Sequence, residues 1–297
     1  MTPEQLLVLA RGGDLDALGA EREAVADAVG AFVEGGDPAS ALELVARAWR
    51  IWFSRGEVDQ GSAVVATALS AAGANAIPVW YVRALYADGA FAFRSGDQPR
   101  SQARNEEALR VARETDDTRG ECDALTGLAR VALRDGRYGD VVALACQARE
   151  RARAASDAEA EASPLHLHAA GVRLQQDYAA ARDLYLESVD LNAALGDEAW
   201  VSMEQHNLGW VELHLGNVAE AESRFRERDA HTVNDAYGDA WSSLNWAAVA
   251  AARGDTEEAQ RLFGSGKQAL EKLGVALDPD DRSELDWLSE QIAPEPD

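Results

Sequence analysis

The chain has 297 residues, 47% of them hydrophobic, and its 28 basic and 52 acidic side chains leave a formal net charge of −24. Such a field repels nucleic acid and anionic lipid, and the plain reading of the excess is a solvated acidic outer face. No apolar run reaches the roughly 18 residues of a membrane span and no charged-then-apolar leader opens the chain, so a cytoplasmic protein is expected.

Two cysteines, Cys122 and Cys146, make no disulfide framework and fit reduced thiols. Lys267 and Lys272 are the only lysines; every other basic residue is Arg.

Taken in order, residues 4–11 and 16–34 are apolar-periodic and punctuated by Gly12-Gly13-Asp14 and Gly35-Gly36-Asp37-Pro38. Gly after a helix and Asp or Pro opening the next are stop and start signals. These segments fall outside the later period, so residues 1–37 are expected to form N-terminal capping helices.

From Gly56 onward the period is plain. Turn positions fall at Gly56, Gly96, Gly136, Gln176, Gly216 and Gly254, spaced 40, 40, 40, 40 and 38. Fixed self-similarity of this kind is the signature of a repeat architecture. Seven residues before the later turns stand Gly89, Ala129, Ala169, Gly209 and Ala247; five after the turns come Gly61, Ser101, Val141, Ala181, Ala221 and Ala259. Small residues there let two helices of a hairpin approach closely. Larger ones nine after the turns, among them Val65, Tyr185, Phe225 and Phe263, fill the gap to the next pair. A second punctuation, at Asp116-Asp117, Ser156-Asp157, Gly196-Asp197 and Gly238-Asp239, places an Asp N-cap before each next helix.

The resulting helix pairs are 38–55/58–73, 77–95/98–115, 118–135/138–155, 158–175/178–195, 198–215/218–232 and 236–253/256–273. Asp278-Pro279 then opens a last helix to Ile292, with Leu285, Leu288 and Ile292 on one stripe; residues 274–297 read as a C-terminal capping helix with a frayed Pro294–Asp297 tail. The expected fold is all-α.

The small–turn–small–aromatic–small pattern resembles the tetratricopeptide repeat (TPR) family over about residues 38–273, most closely over 198–264. The usual unit is about 34 residues. The 40-residue unit is similar to the longer variant in the MalT-like C-terminal region of actinobacterial LuxR-type ATP-dependent transcriptional regulators. Two stretches carry that narrower resemblance: ALELVARAWRIWFSRG at 41–56 followed by Gly61, and ALRVARETDD at 108–117. Neither the P-loop nor a basic DNA-reading helix of those regulators is present, so the resemblance reaches the repeat module alone. Departures cluster late: Leu85, Leu125 and Leu165 are followed at the same offset by Gln205 and Ser243, and Arg228 and Gly266 stand where Ala or Ser stands in earlier repeats. A HEAT-like stack has a similar period without the turn-plus-five pattern.

The resemblance implies a right-handed α-solenoid of about six helix pairs, capped at both ends, whose first helices line a concave groove that holds ligands. Carried over by offset, the groove stripe comprises Arg83, Tyr86, Arg94, Arg130, Arg134, His166, Arg173, His206, Trp210, His214 and Trp241. Arg clamps carboxylates bidentately and aromatics anchor apolar side chains. The stripe therefore reads as a site for an acidic or C-terminal peptide of a partner protein; the other reading is that these Arg side chains pair with nearby carboxylates.

His166 and His206 sit 40 residues apart on adjacent repeats, and His166 and His168 point to different faces, so no metal site is expected. Asn207 and Asn245 read as structural, and Trp49, Trp52 and Phe53 as core. No nucleophile–base–orienter set can be assembled. The expectation is a non-catalytic scaffold in bacterial regulation, monomer or homodimer, without cofactor, nucleic acid or membrane; the alternative is a small-ligand sensor module.

Overall fold

A computed structural model describes residues 1–72, 77–231, 236–274 and 277–293. The expected tail at 294–297 lies outside them. Among the described residues every regular element is a helix. The chain opens with α1 (Pro3–Gly12), α2 (Leu15–Ala20) and α3 (Arg22–Glu34). The first repeat holds α4 (Pro38–Ala48), α5 (Arg50–Phe53) and α6 (Val58–Ala71). Next come α7 (Pro78–Ser95), α8 (Gln98–Glu114), α9 (Thr118–Arg134) and α10 (Tyr138–Ala154). Then α11 (Ala158–Leu174), α12 (Tyr178–Leu195), α13 (Glu198–His214) and α14 (Val218–His231) follow. The last pair is α15 (Ala236–Ala252) and α16 (Thr256–Leu273), before the terminal α17 (Pro279–Gln291).

The periodic turn positions have one backbone state in common. Gly56, Gly96, Gly136, Gln176, Gly216 and Gly254 all lie at φ between 66 and 84°. In this left-handed state the residue two ahead of the helix end closes back on it: Asp97 N–H donates to Ala92 O, Asn217 to Glu212 O and Asp255 to Ala250 O. Asp side chains then cap the following helices, Asp97 accepting from Arg100 N and Asp197 from Trp200 N. Asp116, Ser156 and Gly196 repeat the left-handed state at the far end of three pairs, again 40 residues apart.

Gln176 is the one non-glycine of the six. Left-handed backbone costs a residue with a Cβ about 1–2 kcal/mol, while Gly adds about 0.4–1 kcal/mol of unfolded-state freedom. Gln176→Gly is therefore expected to raise the urea midpoint by the equivalent of about 0.5–1 kcal/mol; Gly216→Gln should lower it by a similar amount. Equal midpoints for all three proteins would contradict this account.

Contacts divide the chain into two compact units, residues 1–131 with 150–155, and 132–149 with 156–297. In the first, Trp52, Phe91, Leu42 and Leu85 are fully buried and Trp49 stands edge-on to Phe53, Tyr86 and Phe91. This places Trp49, Trp52 and Phe53 in the core, as their spacing predicts. In the second, Tyr185, Trp210, Phe225, Trp241 and Leu244 are the buried centre. The small offset positions are buried throughout, and a Cβ at Gly209 would fall inside the Phe225 ring, one at Gly61 inside Phe91. Small against large is thus how a helix pair closes.

Two boundaries differ from the sequence reading. The stretch 16–34 is two helices, because Glu21 leaves helical geometry at φ −103°, ψ 18°. The helix expected over 38–55 is interrupted at Trp49, where Trp52 N–H bonds Trp49 O in a tighter i to i+3 turn.

Candidate functional site

In the first unit the stripe residues bond to their own surroundings. Arg83 pairs with Asp117 at 3.3 Å and Asp123 at 3.9 Å. Exposed Arg94 donates to Phe53 O at 2.9 Å and lies over the Phe53 ring. Arg130 donates to the Tyr86 hydroxyl at 2.9 Å, and Tyr86 itself is mostly buried against Trp49.

The second unit is different: its stripe converges on α17. Arg173, 3% exposed, reaches Asp280 at 2.9 Å with one guanidinium nitrogen and Glu284 at 3.4 Å with the other. His214 Nε2 lies 2.8 Å from the second oxygen of Glu284. Arg134 meets Asp278 at 3.2 Å, and the Tyr237 hydroxyl donates to Asp281. Trp287 packs edge-on to Trp210 at 6.0 Å and tilts against His214 at 4.8 Å. Leu288 and Ile292 finish the seat, buried with the aromatic core, and Gln260 donates to Ile292 O. The terminal helix thus contacts the first helices α11 and α15. What lies against Arg134, Arg173 and His214 is this chain's own acidic helix α17.

Behind the contact runs a buried polar chain. Glu204, with no exposed surface, accepts from Ser188 at 2.7 Å and Asn207 at 3.1 Å and faces His166 Nδ1 at 3.1 Å. Asn207 in turn accepts from Arg173 at 3.2 Å. Asn245 accepts from Trp210 Nε1 at 2.9 Å. Both Asn residues are buried and accept from side chains of a neighbouring repeat. Trp210 and Trp241 are buried core residues that support the seat from beneath.

The two equivalent histidines titrate in opposite directions. Around His206 stand Trp210, Phe225 and Trp241; burial, then the charges of Arg228 and Arg173, hold its pKa well below 6.5. Burial also works to lower His166, but the charge and hydrogen bond of Glu204 and the charge of Asp280 outweigh it and raise its pKa. For His206 the unfolded chain binds the extra proton, so its contribution is complete above about pH 6.5 and is lost as pH falls. For His166 the folded chain holds the proton longer; that contribution is complete below about pH 6.5 and is lost as pH rises through the raised value. We expect His206→Phe to flatten the acid limb of stability between pH 6.5 and 5 by up to about 1.4 kcal/mol per pH unit relative to wild type. Urea unfolding at pH 5, 6, 7 and 8 checks it, and parallel curves would refute it. Asp281, pushed up to about 7 by burial and by Asp280, contributes equally to both proteins and cancels in the comparison.

Sequence reasoning missed two features. The first is the set Asp280, Asp281, Glu284 and Trp287, to which the reading of 274–297 as a capping helix assigns no contact; their acidic spacing is a signal, but does not say where the helix docks. Arg149, 8% exposed, bonds Glu187 at 2.7 Å and His168 Nδ1 at 3.0 Å, and His168 Nε2 lies 3.5 Å from Cys146 Sγ. His166 and His168 do face different partners, as their spacing predicts. Among the described residues no group of three or more His, Cys, Asp or Glu could hold a metal ion, and no helix is long and apolar enough to cross a membrane.

No family model matches the sequence and no curated protein matches it. Solved structures match the fold. The apo form of RapI is similar with a TM-score of 0.67 at 12% identity, over 92% of this chain and 98% of that one. The apo form of the quorum sensor NprR from B. thuringiensis gives 0.62 at 13% identity, over 96% and 79%. A tetratricopeptide repeat protein from Parabacteroides merdae gives 0.53 at 13% identity, over 90% and 98%. At these identities the likeness is one of fold. The protein is an all-α chain of the TPR-like helical-solenoid type.

Proposed function

We propose that the protein is a non-catalytic, cytoplasmic scaffold of bacterial regulation that binds an acidic peptide segment of a partner on the first-helix face of its second unit. One observation carries this reading: Arg134, Arg173, His214 and Trp210, taken from successive repeats, meet on one acidic helix. Four donors and an indole face so arranged recognise carboxylates and an apolar anchor together. Solved structures of similar fold support it, among them NprR in complex with its cognate peptide NprX (TM-score 0.62, 12% identity, 97% of this chain and 82% of that one). Such a role requires neither cofactor nor metal, and the acidic surface disfavours nucleic acid and membrane as partners.

The test is an arrayed peptide library from the host proteome, probed with the labelled full-length chain. Each binding peptide is then remade with a photoreactive phenylalanine analogue, and its cross-links are mapped by mass spectrometry. Cross-links at α11, α13 and α15 are expected. Cross-links confined to α12, α14 and α16, or an array without any binding peptide, would remove the assignment.

A further inference from the structure

The terminal helix docks through charge as well as through its apolar stripe, where Leu285 and Trp287 pack beside buried Leu288 and Ile292. Here four carboxylates, Asp278, Asp280, Asp281 and Glu284, are each engaged by a partner across the contact, and Leu288 is the one fully buried apolar side chain of α17. These contacts reach residues 44 to 144 positions earlier in the chain, on separate repeats. Two of the receiving groups stand at repeat-equivalent sites, Arg134 and His214 each two before their turns, and Arg173 lies one residue from that offset. The seat is therefore built from helices of successive repeats and not from α17 itself.

The energetics allow exchange. Desolvating Arg173 with Glu284 and Asp280 opposes the Coulomb attraction they gain, so buried ion pairs contribute little net stabilisation against an alternative that is equally well paired. Any external segment with the same carboxylates replaces those bonds one for one. Crowding of acids on α17 works in the same direction, since burial and the charge of Asp280 both disfavour an ionised Asp281 there.

We propose that α17 is an exchangeable internal competitor for the seat, and that the seat's external ligand is an acidic amphipathic helix with carboxylates at i and i+4, an indole at i+7 and an apolar residue at i+8. These are the positions of Asp280, Glu284, Trp287 and Leu288. The inference rests on the peptide-binding reading above and gives that site its ligand class and its regulation. A tethered competitor acts at an effective concentration in the mM range, so the resting chain binds its ligand weakly and a partner succeeds by outcompeting α17.

The probe is a fluorescein-labelled peptide of residues 277–293. It is titrated by anisotropy into the full-length wild type and into a full-length variant with a weakened α17, Asp280→Asn/Glu284→Gln/Trp287→Ala. The variant is expected to bind at least tenfold more tightly than wild type, and adding Arg134→Ala/His214→Phe to it should remove at least tenfold of that gain. No binding to a variant with wild-type helical circular dichroism, or equal binding by both proteins, would overturn the proposal.

If the variant does not fold, wild type is used with excess unlabelled peptide carrying Ser289→Ala, which separates it by mass. Amide exchange of 279–291 should then accelerate at least tenfold, and unchanged exchange overturns the proposal. A library peptide that cross-links to α11 and α13 without accelerating that exchange would uphold peptide binding and defeat competition. Binding of the 277–293 probe with no host peptide found would do the reverse.

Discussion

Arg173→Ala is expected to destabilise the second unit by about 3–5 kcal/mol, the range seen when one member of a buried ion pair is deleted. The guanidinium is 3% exposed and bonds Asp280, Glu284 and Asn207 while lying over the Tyr185 ring. Burial alone would favour its neutral form, but the charges of Tyr185, then of Glu284 and Asp280, outweigh that and its pKa is raised. Truncation leaves Glu284, 3% exposed, with His214 as its remaining partner, and Asp280 with none at hydrogen-bond distance among the described residues. Arg173→Lys should recover part of the loss, since a point charge reaches one carboxylate but cannot span two as the fork does. Urea unfolding followed by circular dichroism measures it, with amide exchange of α11 and α17 to locate the loss. A change below about 1 kcal/mol, the size of an exposed pair, would mean that the pair is solvated in solution.

Phe225→Ala should cost a similar amount, about 3–5 kcal/mol, through the lost transfer energy of the ring and the cavity left behind. The ring is fully buried, lies edge-on to Trp210 and occupies the space that a side chain at position 209 would take. The same geometry makes Gly209→Val costly by overpacking, about 1–3 kcal/mol. A double-mutant cycle is the sharper measurement. The two costs should fall well short of additive when Phe225→Ala and Gly209→Val are combined, because each fills or empties the same volume. Strict additivity would show that Gly209 is small for a reason unrelated to Phe225.

The turns were the most legible feature of the chain because a left-handed residue demands a particular chemistry. Glycine recurs at five of the six positions, and Gln176 was found by the spacing alone. Core positions followed for the same reason, as fixed offsets from a fixed turn. The first-helix stripe was legible in azimuth and not in depth. An offset says which side of a helix a residue stands on, and Arg173 and His214 both reach Glu284. It does not say what lies over that side, so Trp210 and Trp241 were read as lining the surface when they are beneath it. The partner of the stripe was illegible for a different cause. The bond from Arg173 to Asp280 spans 107 residues and follows from no local pattern. Nor does any single residue reveal that Glu21 and Trp49 interrupt their helices.

Between Gly56 and Gly216 the chain keeps step at forty residues through four intervals, with a left-handed residue at every beat. Each helical residue advances the side chains beyond it by about 100°. One residue added within α12 would therefore be a phase error, rotating everything up to the next turn off its stripe, and a turn already fixed in one backbone state has no slack to absorb it. A spliced copy of forty residues introduces no such error. Over this stretch, length is a counted quantity, and chains built on the same plan should differ by whole repeats.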